Sequence, residues 1–132
     1  MGEFVFRFHI HRDEDDDRCQ KDGRQRVEIK VYDKSPDKLK GRAGEAFTYR
    51  WKFRMPADFQ PSREYTHLHQ IKAVDGPEAN MPLATLSARK GKAARPSQFE
   101  FRHGLDRKQY TAHWVPLPPL LGRWLAVEER IH

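Results

Sequence analysis

AFTYRWKFRMP (residues 46–56) alternates between large apolar and polar side chains, and it is the clearest strand pattern in the chain. A period of two residues places successive side chains on opposite faces of a β-strand, so the segment is predicted to be a strand with one buried face. The predicted inward side chains are Phe47, Tyr49, Trp51, Phe53 and Met55. The predicted outward side chains are Thr48, Arg50, Lys52 and Arg54.

Alternation of the same kind recurs along the chain, and no segment has helical spacing. The further predicted strands are residues 3–11, 24–32, 64–74, 81–91, 97–104, 108–114 and 123–131. Polar loops containing glycine, proline, asparagine and aspartate separate them, and one helical turn is expected after Ser35-Pro36. So many short strands predict an all-β chain, an antiparallel β-sandwich or jelly roll of concanavalin-like type, in a single domain over residues 1–132.

The net charge of the chain favours certain classes of binding partner but does not identify one of them. A net charge of +6 favours a polyanion, which could be nucleic acid, anionic lipid or an acidic polysaccharide. Nucleic acid is not expected, because the basic residues are spread among carboxylates and the aromatic motifs of RNA-binding modules are lacking. A membrane partner is not expected either, because no apolar run approaches the length of a span. The N-terminus does not resemble a signal peptide, so the residues alone do not give the localisation.

Two of the predicted strands carry polar side chains at strand spacing. Arg26, Glu28 and Lys30 share one face of the first, and Gln70 and Lys72 share one face of the second. Residues two apart on a strand lie on one side at about 6.5–7 Å from each other, so each set forms a row. Such rows can bind sugar hydroxyls and carboxylates, with arginine acting as a bidentate donor. The alternative interpretation is a solvated outer face of alternating charges.

The order of these segments resembles that of the jelly-roll alginate lyases, in which an arginine/glutamate strand and a later glutamine-isoleucine-histidine strand line one sheet. The more specific resemblance is to the glucuronan lyase family and its bacterial relatives, and it covers nearly the whole chain. The segments with counterparts are FRFHIH, DRCQKDGRQRVEIKVYDKSPDKLKG, TYRWKFRMP, THLHQIKAV, PLATLSARKG and LLGRWLAVEERI. The second and fourth of these discriminate best, since the others are ordinary strand sequences.

The resemblance implies a secreted polysaccharide lyase that cleaves a uronic-acid polymer, similar to glucuronan or alginate, by β-elimination. Carried onto this sequence, Gln70 and Arg26 hold the uronate carboxylate, and Lys72 stands where the alginate lyases have a histidine. His69 or His67 then serves as the base, although strict alternation places both opposite Gln70 unless a β-bulge redirects one. The predicted catalytic residues are Gln70, His69 and Arg26, and the predicted substrate-binding residues are Glu28, Lys72, Lys30, His67, His9 and His11.

No cofactor and no metal site are predicted, although two weaker patterns exist. The histidine pairs His9/His11 and His67/His69 could form a metal site only with a further carboxylate, for which Glu64 is the nearby candidate. The acidic run 13–17 could hold a structural calcium ion, but it lacks the spacing of a dedicated calcium loop. Cys19 is the only cysteine, which excludes an intrachain disulfide.

The resemblance also implies that the chain is truncated. Family members are longer and carry a tyrosine-containing motif on their last strands, and none of Tyr32, Tyr49, Tyr65 and Tyr110 matches that position. An incomplete sandwich would expose sheet edges and associate with other chains. A non-catalytic carbohydrate-binding module on the same fold is therefore the alternative function.

Overall fold

The computed structural model describes residues 4–10 and 26–132. Their regular elements are β1 (Phe47–Arg54), β2 (Thr66–Lys72), β3 (Pro82–Arg89), β4 (Gln98–Leu105), β5 (Lys108–Pro116), β6 (Trp124–Ile131) and two 3-10 helices, Asp37–Leu39 and Pro118–Leu120. The prediction of an all-β antiparallel sandwich is confirmed. The helical turn after Ser35-Pro36 is confirmed as well, as the first 3-10 helix.

The strands form two sheets. Strands β2, β3, β4 and β5 make a four-stranded sheet in chain order, and β1 pairs with β6 in a two-stranded sheet. Side chains of β1 alternate between partly buried and exposed along its whole length, as the sequence predicts. Among residues 4–10 and 26–132, the buried apolar residues are Met55, Ala88 and Leu117. Phe53 of β1 packs against Phe99 of β4 with 6.0 Å between ring centroids. The core therefore lies between the two sheets.

The described chain divides into two compact units, Met1–Phe47 with Ile131–His132, and Thr48–Arg130. The second unit contains nearly all of the strand residues, and the prediction of one domain stays a prediction. In the first unit, the Nζ atom of Lys40 donates to the Asp33 carbonyl at 2.8 Å and to Asp37 Oδ1 at 3.0 Å, which fixes the 3-10 helix. No helix among the described residues has the length and apolar character needed to cross a membrane.

Two predicted strands are wrong over the residues that the structure describes. Residues 4–10 and 26–32 are not strands, and the apolar side chains of their alternating pattern, such as Phe6 and Ile29, are exposed. Alternation shows only that a segment fits a pleated surface, whereas a strand also needs a hydrogen-bonded neighbour. The predictions for His11, the acidic run 13–17 and Cys19 lie outside the described residues.

A two-residue turn joins β4 to β5, and it is strained. Leu105 pairs with Lys108, while Asp106 and Arg107 have φ angles of 50° and 59°. Positive φ at both central residues is typical of a type I′ hairpin turn, for which Asp-Gly is a favoured sequence and Asp-Arg is not.

Replacing Arg107→Gly is expected to raise the free energy of unfolding by about 1 kcal/mol, because glycine adopts a left-handed conformation without the Cβ clash. The measurement is chemical denaturation, in which the midpoint should rise at unchanged slope. Lys108→Gly is the matched control; it lies on the strand and should lower the midpoint. A midpoint unchanged in Arg107→Gly would contradict the turn assignment.

Candidate functional site

A β-bulge in β2 decides which side chains share a face. His67 lies opposite Ser87 and His69 lies opposite Leu86, so Leu68 is an extra residue that interrupts the alternation. Beyond the bulge, Gln70 lies opposite Thr85. Ser87 and Thr85 are two apart on β3 and share a face, so His67 and Gln70 lie together on that face. His69 lies on the opposite face.

Two rows of side chains cross the four-stranded sheet on the face of His67 and Gln70. One row consists of His67, Ser87, Glu100 and Trp114, and the other consists of Gln70, Thr85, Arg102 and Thr111. We call these eight residues the polar sheet face. Thr85, Ser87 and Glu100 are buried, at 1%, 0% and 5% exposure, whereas His67, Gln70 and Trp114 are exposed. The polar sheet face thus has a buried polar floor and accessible groups at both edges.

The imidazole of His67 is oriented by the floor of the polar sheet face. Its Nδ1 atom lies 2.7 Å from the hydroxyl of Ser87, which in turn donates to the hydroxyl of Thr85 at 3.3 Å. The direction of the bond between His67 and Ser87 depends on the tautomer of the ring: when Nδ1 carries the proton, Ser87 accepts from it and the lone pair of the neutral ring lies on Nε2. The ring of Tyr65 stacks on His67, with centroids 4.4 Å apart.

The electrostatic surroundings keep His67 neutral. Although His67 is exposed as a residue, its ring is partly shielded from water, and this partial burial lowers the pKa of His67 from its usual 6.5; the positive charges of Arg102 and Arg89 lower it further. A neutral imidazole can accept a proton near pH 7, which makes His67 the best candidate for a general base on this sheet.

A buried carboxylate holds two arginines on the same side of the sheet. Glu100 Oε2 accepts from Arg89 Nε at 3.3 Å and lies 3.8 Å from Arg102 Nη1. Arg102 also donates from Nη2 to the carbonyl of Gln109 at 3.2 Å, but its Nε atom is buried without a hydrogen-bond partner in the described part of the chain. One negative charge thus meets two positive ones, which leaves this part of the sheet with a cationic surplus.

His69 occupies a different environment from the one its predicted role requires. It faces the two-stranded sheet, where its Nε2 atom lies 3.1 Å from Glu129 Oε2 and its ring lies 4.3 Å from that of Trp51. The side chains of His69 and Glu129 are 28% and 12% exposed. A histidine paired with a carboxylate between two sheets contributes to packing, and His67 rather than His69 shares the face of Gln70.

The predicted row of the first unit is present as a row of charges. Glu28 Oε1 lies 3.9 Å from Arg26 Nη1 and 3.9 Å from Lys30 Nζ, although residues 26–32 are not a strand. The arginine and lysine are 68% and 69% exposed. His9 belongs to the same unit. These pairs are weak in water, so the row is available to a ligand.

Lys72 does not simply continue the Gln70 row. A second register shift lies between Ile71 and Lys72, and Lys72 is exposed at the last position of β2. A cavity of about 270 Å³ lies near this end of the sheet, lined by Gly76, Pro77, Glu78, Asn80, Met81 and Arg107. None of the predicted site residues lines it.

Within residues 4–10 and 26–132, no group of three histidine, cysteine or acidic side chains is placed to hold a metal ion. The placement of His67 and His69 on opposite faces also separates the histidine pair that a metal site would need. The acidic run 13–17, the weaker calcium pattern of the sequence, lies outside the described residues.

Three residues of the polar sheet face were not predicted from the sequence: Ser87, Glu100 and Arg102. A signal for two of them exists in QFEFR (98–102), where strand alternation puts Gln98, Glu100 and Arg102 opposite two phenylalanines. That three-residue row has the same form as the one at Arg26, Glu28 and Lys30.

Comparison with known proteins adds no identification: no protein-family model, curated protein or solved structure matches this chain. Its function therefore rests on what the polar sheet face can do chemically.

Proposed function

We propose that this chain is a lyase of the glucuronan lyase type, which binds a uronic-acid polymer on the polar sheet face and cleaves it by β-elimination. The observation that carries the proposal is the neutral His67 on the same face as Gln70 and Arg102. This replaces His69 as the catalytic histidine and adds an arginine that the sequence analysis did not select. Secretion is part of the proposal, since such polymers lie outside the cell.

The reaction needs a base, an anion-stabilising group and an acid. His67 Nε2 removes the proton at C5, the electron pair forms the C4–C5 double bond, and the C4–O4 bond breaks. The amide of Gln70 and the guanidinium of Arg102 stabilise the negative charge that develops on the uronate carboxylate. Gln70 and Arg102 lie opposite Thr85 on the two neighbouring strands, and in the proposal both bind the same carboxylate. Tyr65, stacked on His67, is the candidate acid for O4.

The row at Arg26, Glu28 and Lys30 belongs to the first unit and is proposed as a separate binding element. Its two exposed cations attract polyuronate. His9, His11 and Lys72 stay in the proposal as substrate-binding residues. The polyanionic polysaccharide is the proposed partner, and neither nucleic acid nor a membrane is proposed. Self-association would involve β2 and β5, the edge strands of the four-stranded sheet.

A non-catalytic carbohydrate-binding module is the second candidate. It is favoured by the ion pairs at Glu100, which fix Arg89 and Arg102 for binding whether or not turnover follows. Affinity for polyuronate without unsaturated product would select this function.

Gln70→Ala is expected to reduce lyase activity about 100- to 1000-fold, because one donor to the developing carboxylate charge is lost. The assay follows the ultraviolet absorbance of unsaturated uronate during incubation with glucuronan or alginate. Gln60→Ala, in the exposed loop before β2, is the matched control and should leave the rate unchanged. If the unaltered chain releases no unsaturated product from any polyuronate, the lyase proposal fails. If it also shows no affinity, the binding module fails with it.

A further inference from the structure

Trp114 is a large exposed aromatic side chain on a face that is otherwise polar. It is 48% exposed and lies opposite Glu100 on β5, an edge strand of the four-stranded sheet. Exposing an indole to water is unfavourable, and large exposed apolar groups beside convergent polar ones often mark binding sites. Neither the proposed chemistry nor the sequence analysis uses it.

The positions of Trp114 and His67 indicate that a ligand contacting both would lie across the strands of the sheet. His67, Ser87, Glu100 and Trp114 occupy one row that crosses all four strands, from one edge of the sheet to the other. Neighbouring strands lie about 4.7–4.9 Å apart, so the backbones of His67 and Trp114 are separated by roughly 14 Å. Between them lie Ser87 and Glu100, which are buried, so a ligand along this row would contact the exposed groups at its two ends rather than these two side chains.

The charges along this row indicate the chemistry of the ligand. Arg89 and Arg102 flank Glu100 and leave a positive surplus at the centre, while Trp114 offers an apolar plane at one end. A pyranose ring has C–H bonds on its faces that pack against an indole, and a uronate adds a carboxylate at its edge that binds arginine. An acidic oligosaccharide combines both requirements in one repeating unit.

We infer that Trp114 is the sugar-stacking platform of a second binding position, so that an acidic oligosaccharide lies across the strands from His67 to Trp114. The inference rests on the proposed function and specifies how the polymer is bound. It requires that affinity depends on the length of the ligand. A single uronic acid at the Gln70 end does not reach Trp114, whereas a longer oligosaccharide contacts both ends of the row.

The test compares Trp114→Ala with Trp124→Ala by titration calorimetry of the whole chain. Trp124 is a similarly exposed indole, 55% against 48% for Trp114, at the start of β6 in the other sheet. The probes are a glucuronan tetrasaccharide and free glucuronic acid. Trp114→Ala should weaken tetrasaccharide binding roughly 10-fold and leave glucuronic acid binding unchanged, since only the longer ligand stacks on the indole. Trp124→Ala should change neither, and Trp114→Phe should retain most of the tetrasaccharide affinity.

The outcomes separate the two proposals. Tetrasaccharide affinity that survives Trp114→Ala but is lost in Gln70→Ala overturns the platform and leaves the proposed function standing. The platform is also overturned if Trp114→Ala and Trp124→Ala lose tetrasaccharide affinity equally. The same holds if Trp114→Ala weakens the binding of the tetrasaccharide and of glucuronic acid equally. Absence of any binding by the unaltered chain overturns both proposals. Because single-stranded nucleic acid also stacks on tryptophan, tighter binding of an oligonucleotide than of the tetrasaccharide would overturn the assigned ligand class.

Discussion

His67→Gln is expected to reduce the release of unsaturated uronate by about 100- to 10,000-fold, which is the range that a positioned general base contributes. Glutamine can still bond to Ser87, so the loss reports proton removal rather than collapse of the hydrogen-bond chain. His69→Gln is the matched variant. It should retain most of the activity and lose stability instead, because His69 packs on Trp51 and pairs with Glu129 between the sheets.

The pH dependence gives a second measurement on the same residue. Burial and the charges of Arg102 and Arg89 lower the pKa of His67, so the neutral form persists below pH 6.5. Activity should therefore persist as the pH falls through 6.5 and decline only around the lowered pKa. In Arg89→Gln one of these charges is removed, and the acid limb of kcat/KM should move to higher pH.

Stability has a related pH dependence with a definite sign. The unfolded chain takes up the His67 proton near pH 6.5, whereas the folded chain does so only at lower pH, so stability falls as the pH drops through this interval. His67→Gln should flatten that part of the profile. A variant that keeps full activity, or that leaves both profiles unchanged, would remove His67 from the mechanism.

The fold class could be predicted because the strands that pair in the structure show the alternation of apolar and polar residues that is visible in the sequence. In β1 the apolar positions from Phe47 to Phe53 are the partly buried ones, since a strand over a core has only one face available to them. The same pattern at residues 4–10 and 26–32 gave a wrong prediction, because periodicity describes side chains and not the hydrogen-bonded neighbour that a strand requires.

The candidate site was less predictable, for two physical reasons. A β-bulge inserts one residue and exchanges the faces of all positions beyond it, and nothing in THLHQIK specifies that Leu68 is the extra residue. Cross-strand neighbours are the second reason. Glu100 becomes part of the site because it pairs with Arg89 of β3, eleven residues away in the sequence. This pairing depends on the register between β3 and β4, which local residue spacing does not reveal.

Glu100→Ala is expected to lower the free energy of unfolding by about 3–5 kcal/mol, because it leaves two arginines facing each other without their shared carboxylate. The side chain of Glu100 is 6% exposed, and those of Arg89 and Arg102 are 26% and 21% exposed. Water screens these charges poorly, so the loss is large. Chemical denaturation at constant slope is the measurement.

Glu128→Ala is the control that separates burial from distance. Glu128 Oε2 lies only 2.7 Å from Arg50 Nε, closer than any contact of Glu100, but the two side chains are 62% and 69% exposed. An exposed ion pair contributes about 0–1 kcal/mol, so the shorter contact should matter less. Equal losses in Glu128→Ala and Glu100→Ala would show that burial does not determine the effect.

The combined variant Arg89→Met, Glu100→Leu, Arg102→Met tests whether the buried charges contribute to the stability of the sheet or to the binding of polyuronate. Replacing a complete buried ion-pair cluster with apolar groups of similar size is often neutral or stabilising, since the desolvation of all three charges is avoided. Stability should therefore recover to near that of the unaltered chain, while affinity for polyuronate is lost with Arg102. Recovered stability with retained affinity would remove the arginines from the binding site. Stability that stays as low as in Glu100→Ala would show that the charges themselves hold the sheet together.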